Sequence, residues 1–157
     1  MPGFTKGGAA NTPFGRREIL RSTEGIKTES FTFAATSLPP KTIDGVAGQK
    51  ILQPGIVLAR ITTAAGTSTA DDVGKVGPFR AGVTDGRQTL ANIVGINFTF
   101  LPWQLMDRDV EVSAIYDASL VQAWCYELDA GGAEIALTNT TAAALVANKT
   151  LNITFRG

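Results

Sequence analysis

A chain of 157 residues that is 44% hydrophobic and 18% charged is long enough to bury one core of ordinary size, and its 14 basic and 14 acidic side chains give no net field to gather nucleic acid. It has no histidine and a single cysteine, Cys125, which excludes a Ser-His-Asp triad, a His/Cys zinc site and an intrachain disulfide. No segment approaches the ~20 apolar residues of a membrane-spanning helix, and Met1-Pro2-Gly3-Phe4 does not open a secretory leader, so neither a membrane nor a secreted setting is expected.

From Met1 to about Gly25 the residues follow neither a helical nor a strand period, and Gly, Pro, Asn and Thr predict an arm that takes its order from a partner. The arm is basic, with Lys6, Arg16, Arg17 and Arg21 against Glu18 within residues 1 to 22. Residues 107 to 134 are the reverse, holding Asp107, Asp109, Glu111, Asp117, Glu127, Asp129 and Glu134 against Arg108. Such a contrast can steer an arm toward an acidic surface, including one on a neighbouring copy. Phe4, Phe14, Ile19, Leu20 and Ile26 have no local core to enter, and docking on another subunit is their expected use.

Lys27 to Ala35 has the period of a strand, with Phe31, Phe33 and Ala35 on one face. It is the arm's candidate for pairing with a foreign sheet. Leu38-Pro39-Pro40 ends it, and Asp44-Gly45 and Gly48 read as linker, so residues 1–50 form arm and linker and 51–157 a β-rich body. The expected fold class is mainly β, a compact barrel or tulip-like body with one or two short helices and a long extended N-terminal arm.

Gln53-Pro54-Gly55 predicts a turn before a strand over Ile56 to Thr62, apolar on both faces and therefore central. Thr63 to Gly77 reads as a loop. Asp85-Gly86 is the strongest hairpin signal, expected to join strands over Pro78 to Thr84 and Gln88 to Ala91. Ile93 to Phe100 follows as a strand with Val94, Ile96, Phe98 and Phe100 on one face. Asp109 to Tyr116 places Val110, Val112, Ala114 and Tyr116 inward, and Ser119 to Leu128 continues the pattern around a buried Cys125. Thr138-Asn139-Thr140 caps a short helix over Ala142 to Asn148, and Leu151 to Phe155 is a last strand.

The chemistry-bearing patterns are weak. Gly74-Lys75-Val76-Gly77 lacks the spacing of a phosphate loop, and Asp107, Asp109 and Glu111 fit a solvated strand face better than a cation site. Four Asn-x-Ser/Thr triplets, at Asn97, Asn139, Asn148 and Asn152, are what a threonine-rich chain produces by chance. No catalytic residue, metal or cofactor is expected. Phe100 and Trp103, around Pro102, either roof the core or anchor an interface, where Trp is enriched.

Three segments resemble the lambda-type bacteriophage head decoration proteins: Gln53-Pro54-Gly55-Ile56-Val57-Leu58-Ala59-Arg60-Ile61-Thr62, Thr84-Asp85-Gly86-Arg87-Gln88-Thr89-Leu90-Ala91-Asn92-Ile93-Val94, and Asp109-Val110-Glu111-Val112-Ser113-Ala114-Ile115-Tyr116. The likeness spans about Ile51 to Val121. It implies a non-enzymatic homotrimer on the outer surface of the virion head at three-fold sites, clamping neighbouring major capsid subunits. The arm would then order on the shell by adding a strand to it. Its implied capsid contacts are Phe4, Phe14, Arg16, Arg17, Ile19, Leu20, Arg21, Ile26, Phe31 and Phe33, and removing residues 1–36 would leave a folded trimer that no longer binds heads. Two other readings compete: a receptor- or glycan-binding module using Trp103 and Trp124 as stacking platforms, and a small trimeric dUTPase-like enzyme, faintly echoed by Ala81 to Gly86.

Overall fold

Alternating apolar residues build ten strands, β1 (Lys27–Phe33), β2 (Lys41–Ile43), β3 (Val46–Gln49), β4 (Val57–Arg60), β5 (Val76–Pro78), β6 (Ile93–Asn97), β7 (Val110–Leu120), β8 (Tyr126–Leu128), β9 (Glu134–Ala136) and β10 (Asn152–Phe155), with one helix, α1 (Asn139–Ala147), among the described residues. The computed structural model describes residues 19–20, 25–102 and 108–156. The protein is mainly β. Its largest sheet runs β1-β5-β4-β6-β7-β10, and β1 also pairs with β7, so five of its strands close on themselves as a barrel.

Two cores follow from that closure, one on each face of the sheet. The barrel interior is filled by Phe33, Leu58, Val76, Val112 and Ala114, with Leu38, Leu52, Ile56, Tyr126 and Leu128 closing it from the adjoining segments. The outer face packs Val57, Ala59, Ile93, Ile96, Ile115, Ala118 and Leu120 against Leu145 of α1 and Ile153 of β10. β4 contributes to both, so the expectation of a central strand holds. Full burial of a side chain the size of Phe33 stabilises by about 1.5–3 kcal/mol, and β1 is held mainly through that residue, since Lys27 to Ser30 are exposed.

Two β-bulges set which residues face which core. Leu58 pairs with Gly95 and Ala59 with Ile93, so Val94 is an extra residue in β6. In β7 the partner shifts from Ile115 to Asp117 as β1 steps from Thr28 to Lys27, so Tyr116 is extra. A bulge inverts the alternation beyond it. The single face expected for Val94, Ile96, Phe98 and Phe100 is therefore split: Val94 packs on the interior cluster, Ile96 and Phe98 on the outer one.

The tight hairpin lies elsewhere than expected. Asp44 (φ 49°) and Gly45 (φ 78°) both take positive φ, as a type I′ turn demands, and join β2 to β3 where a linker was anticipated. Asp85-Gly86 joins no pair of strands; β5 ends at Pro78, and Leu90–Asn92 is a 3-10 turn. At the other end the helix begins as read from sequence, with Thr138 Oγ1 accepting from the Thr141 N–H at 3.3 Å, a cap of about 1 kcal/mol.

Candidate functional site

The Asp85-Gly86-Arg87 segment forms a buried ion pair. Asp85 Oδ2 accepts from Arg87 Nε and Nη2, both at 2.9 Å, and from Ser68 Oγ at 2.6 Å, while Oδ1 accepts from the Arg87 backbone N–H at 3.1 Å. Arg87 Nη1 donates to the carbonyls of Ser37 and Pro78, each at 3.2 Å, so one guanidinium ties the chain after β1 to the end of β5. Each side chain is 1% exposed. Burial works to raise the Asp85 carboxyl, but the Ser68 hydroxyl, the Arg87 N–H and the guanidinium outweigh it and hold the group below its ordinary value. With all three guanidinium nitrogens engaged, this cluster is a clamp across the barrel seam.

The acidic region is largely answered from within. Asp109 accepts from the Ala35 N–H at 2.9 Å and pairs with Lys75 at 2.5 Å, and hydrogen bonding to Asp109 raises the Lys75 pKa. Asp117 pairs with Lys27 at 3.5 Å, and Glu134 with Lys41. Among the described residues, the expected acidic surface, open to a neighbouring copy's basic arm, is thus reduced to a few exposed carboxylates such as Glu111. Among the described residues no cluster of three or more metal-ligating side chains occurs.

Several residues expected to dock on a partner are instead placed inside this chain. Phe33 is fully buried in the barrel and Phe31 packs against the same cluster, because β1 pairs along its whole length with β7. Ile19 (1% exposed) and Leu20 (9%) are buried in the outer core, with Ile26 packed on it. Leu20 bridges to Leu120, and Val121 N–H donates to the Ile19 carbonyl at 3.2 Å. The reason is register: Phe31 and Phe33 fall opposite Val112 and Val110 and add to the hydrophobic layer of the barrel interior. The boundary drawn at residue 50 is corrected accordingly, since Lys27–Phe33 belongs to the barrel. Phe4, Phe14, Arg16, Arg17, Arg21 and Trp103 lie outside the described residues. Phe100 is half-buried, Trp124 packs on the outer core, and burial pushes the Cys125 thiol up to about 12.

Among the described residues, grooves open on the body, and two of them have defined linings. One, of about 350 Å³, runs along Val121, Ala136 and Phe155. The other, of about 370 Å³, lies at the mouth of the barrel and is lined by Glu29, Phe31, Arg60, Asn92, Tyr116 and Leu151 among others. Sequence periodicity placed Tyr116 inward and missed this opening; the one signal for it was Gly95 inside a strand pattern, the mark of a bulge.

Fold and site together define a small closed β-barrel, clamped by an internal ion pair and backed on its outer face by a helix and a parallel strand. No protein-family model, curated protein or solved structure matches the chain. No helix of the described residues is long and apolar enough to cross a membrane.

Proposed function

We propose that this protein is a bacteriophage capsid decoration protein, a homotrimer that binds the exterior of the mature head at three-fold sites and stabilises it by clamping neighbouring major capsid subunits. The observation that carries this reading is the adjacency of the three segments that resemble the decoration family. Far apart in sequence, they supply β4, the approach to β6 and β7, which neighbour one another in the barrel. The ion pair of the middle segment then fastens the seam. A likeness spread over contiguous strands supports a shared framework better than a likeness in scattered loops.

Residues 1–18 would supply the shell contact. They carry Lys6, Arg16 and Arg17 with Phe4 and Phe14, and they join the body at Ile19 and Leu20, which the outer core holds fixed. Stabilisation works by mass action: a ligand that binds only the assembled shell draws it away from disassembly. Three arms on one trimer raise avidity beyond any single arm.

The test is co-sedimentation with expanded heads and with unexpanded proheads of the phage that encodes the chain, with oligomeric state read by analytical ultracentrifugation. The full chain should sediment with expanded heads and as a trimer when free; a chain lacking residues 1–18 should remain folded and stay in the supernatant. A monomer that ignores both kinds of particle would overturn the reading.

A further inference from the structure

The opening at the barrel mouth is built into the strands. β6 and β7 pair at Ile96–Ile115 and Asn97–Ala114, and beyond Gly95 the ladder between them stops. Gly95 has a φ of 147°, and a Cβ there would sit 2.4 Å from the Ile115 carbonyl oxygen, so the close approach that precedes the opening requires glycine. The bulges at Val94 and Tyr116 lie on either side of that point. β10 takes up pairing with β7 only from Asp117 onward. Between these ends lies the groove of about 370 Å³, within the size range of sites for small ligands, which favour barrel mouths.

Three of its polar side chains are held in place before any ligand arrives. The Arg60 guanidinium carbon lies 5.5 Å from the Phe31 ring centroid, and Nη1 donates to the Gly74 carbonyl at 3.0 Å, which leaves the other donors of the fork for a ligand. Asn92 Nδ2 donates to the Gly86 carbonyl at 2.8 Å, which orients the amide and assigns its oxygen as an acceptor. Glu29 adds a carboxylate and Tyr116 a phenol, around apolar surface from Phe31 and Leu151. Thr150, the fifth polar side chain of the lining, donates its hydroxyl to Asn148 Oδ1 at 2.7 Å, so ordering entropy has been met in advance for three of the five.

The composition of the rim selects the ligand. One carboxylate and one guanidinium oppose each other, so neither an anion nor a cation gains a net field, and a flat apolar molecule would strip water from both charges without replacing it. A neutral ring of hydroxyls answers both: it donates to Glu29 and Asn92, accepts from Arg60 and Tyr116, and lays its C–H face on Leu151. We propose that the barrel-mouth groove binds a terminal sugar residue of a neutral glycan, through Glu29, Arg60, Asn92 and Tyr116.

The experiment is saturation-transfer NMR and titration calorimetry on the full-length protein with the methyl glycosides of glucose, galactose, mannose and N-acetylglucosamine at millimolar concentrations. At least one should bind saturably, Arg60→Ala should weaken it by about tenfold or more, and Tyr116→Phe, which removes one hydroxyl and leaves the ring, by a smaller factor. Glu111→Gln, outside the groove's lining, should leave affinity unchanged. Absence of saturable binding by all four glycosides overturns the proposal, as does binding that both folded groove variants retain in full. Head co-sedimentation is read separately, so failure here leaves the decoration reading standing and the reverse holds too.

Discussion

Arg87 carries a full charge where 1% of its side chain meets solvent, and it is tolerated because Asp85 and two carbonyls take up its donors. Removing either partner strands the other, so Asp85→Ala or Arg87→Ala should each lower stability by about 3–5 kcal/mol in urea unfolding. The double replacement Asp85→Leu with Arg87→Met should cost far less than the sum; full additivity would mean the two do not act as a pair. Protonation gives a second handle. Asp85 sits below its ordinary value, as does Asp72, where burial pulls upward but the Thr69 N–H, the Thr36 and Thr69 hydroxyls and Lys75 outweigh it. A carboxyl lowered in the folded state contributes stability above its unfolded value of about 3.9 and loses it as pH falls through the folded value. The urea midpoint should therefore hold nearly level from neutral pH to about 5 and fall below about 4. A midpoint that rises on acidification would contradict the assignment.

At the scale of elements, β1 decides what can be removed. Deletion of residues 1–18 should leave circular dichroism and the thermal midpoint nearly unchanged, whereas deletion of 1–36 withdraws β1 and should yield an unfolded or aggregating chain. A stable, cooperatively melting product of the longer deletion would show that the barrel does not need β1. The strand was legible in sequence, but its partner was not: a period of two reveals which residues share a face and says nothing of whether the pairing edge belongs to the same chain. The capped helix, the Gln53-Pro54-Gly55 turn and the doubly buried β4 could also be read, because each rests on local signals. Asp85-Gly86 misled because a turn dipeptide does not disclose that Arg87, two residues on, returns to the aspartate through the core. The same dipeptide at Asp44-Gly45 makes the hairpin, since its side chain is exposed and free of such a partner. The groove was hidden for a third reason: bulges at Val94 and Tyr116 change register without changing composition.

For the whole molecule, the sheet's outer core is completed late in the sequence, by Leu145 of α1 and Ile153 of β10. Truncation after Asn148 should uncover Ile115, Ala118 and Leu120, raising binding of a hydrophobic dye while the barrel interior, whose described members all precede that point, keeps its strand signal; loss of both together would mean that the two cores melt as one. β10 lies parallel to β7, a pairing that no tight turn can make, and α1 provides the crossover between them. During synthesis, then, the barrel can close while its greasy outer flank still awaits residues inside the ribosome tunnel. For that interval each nascent copy shows its neighbours on the polysome the edge of β7 over Asp117 to Leu120 that β10 later pairs.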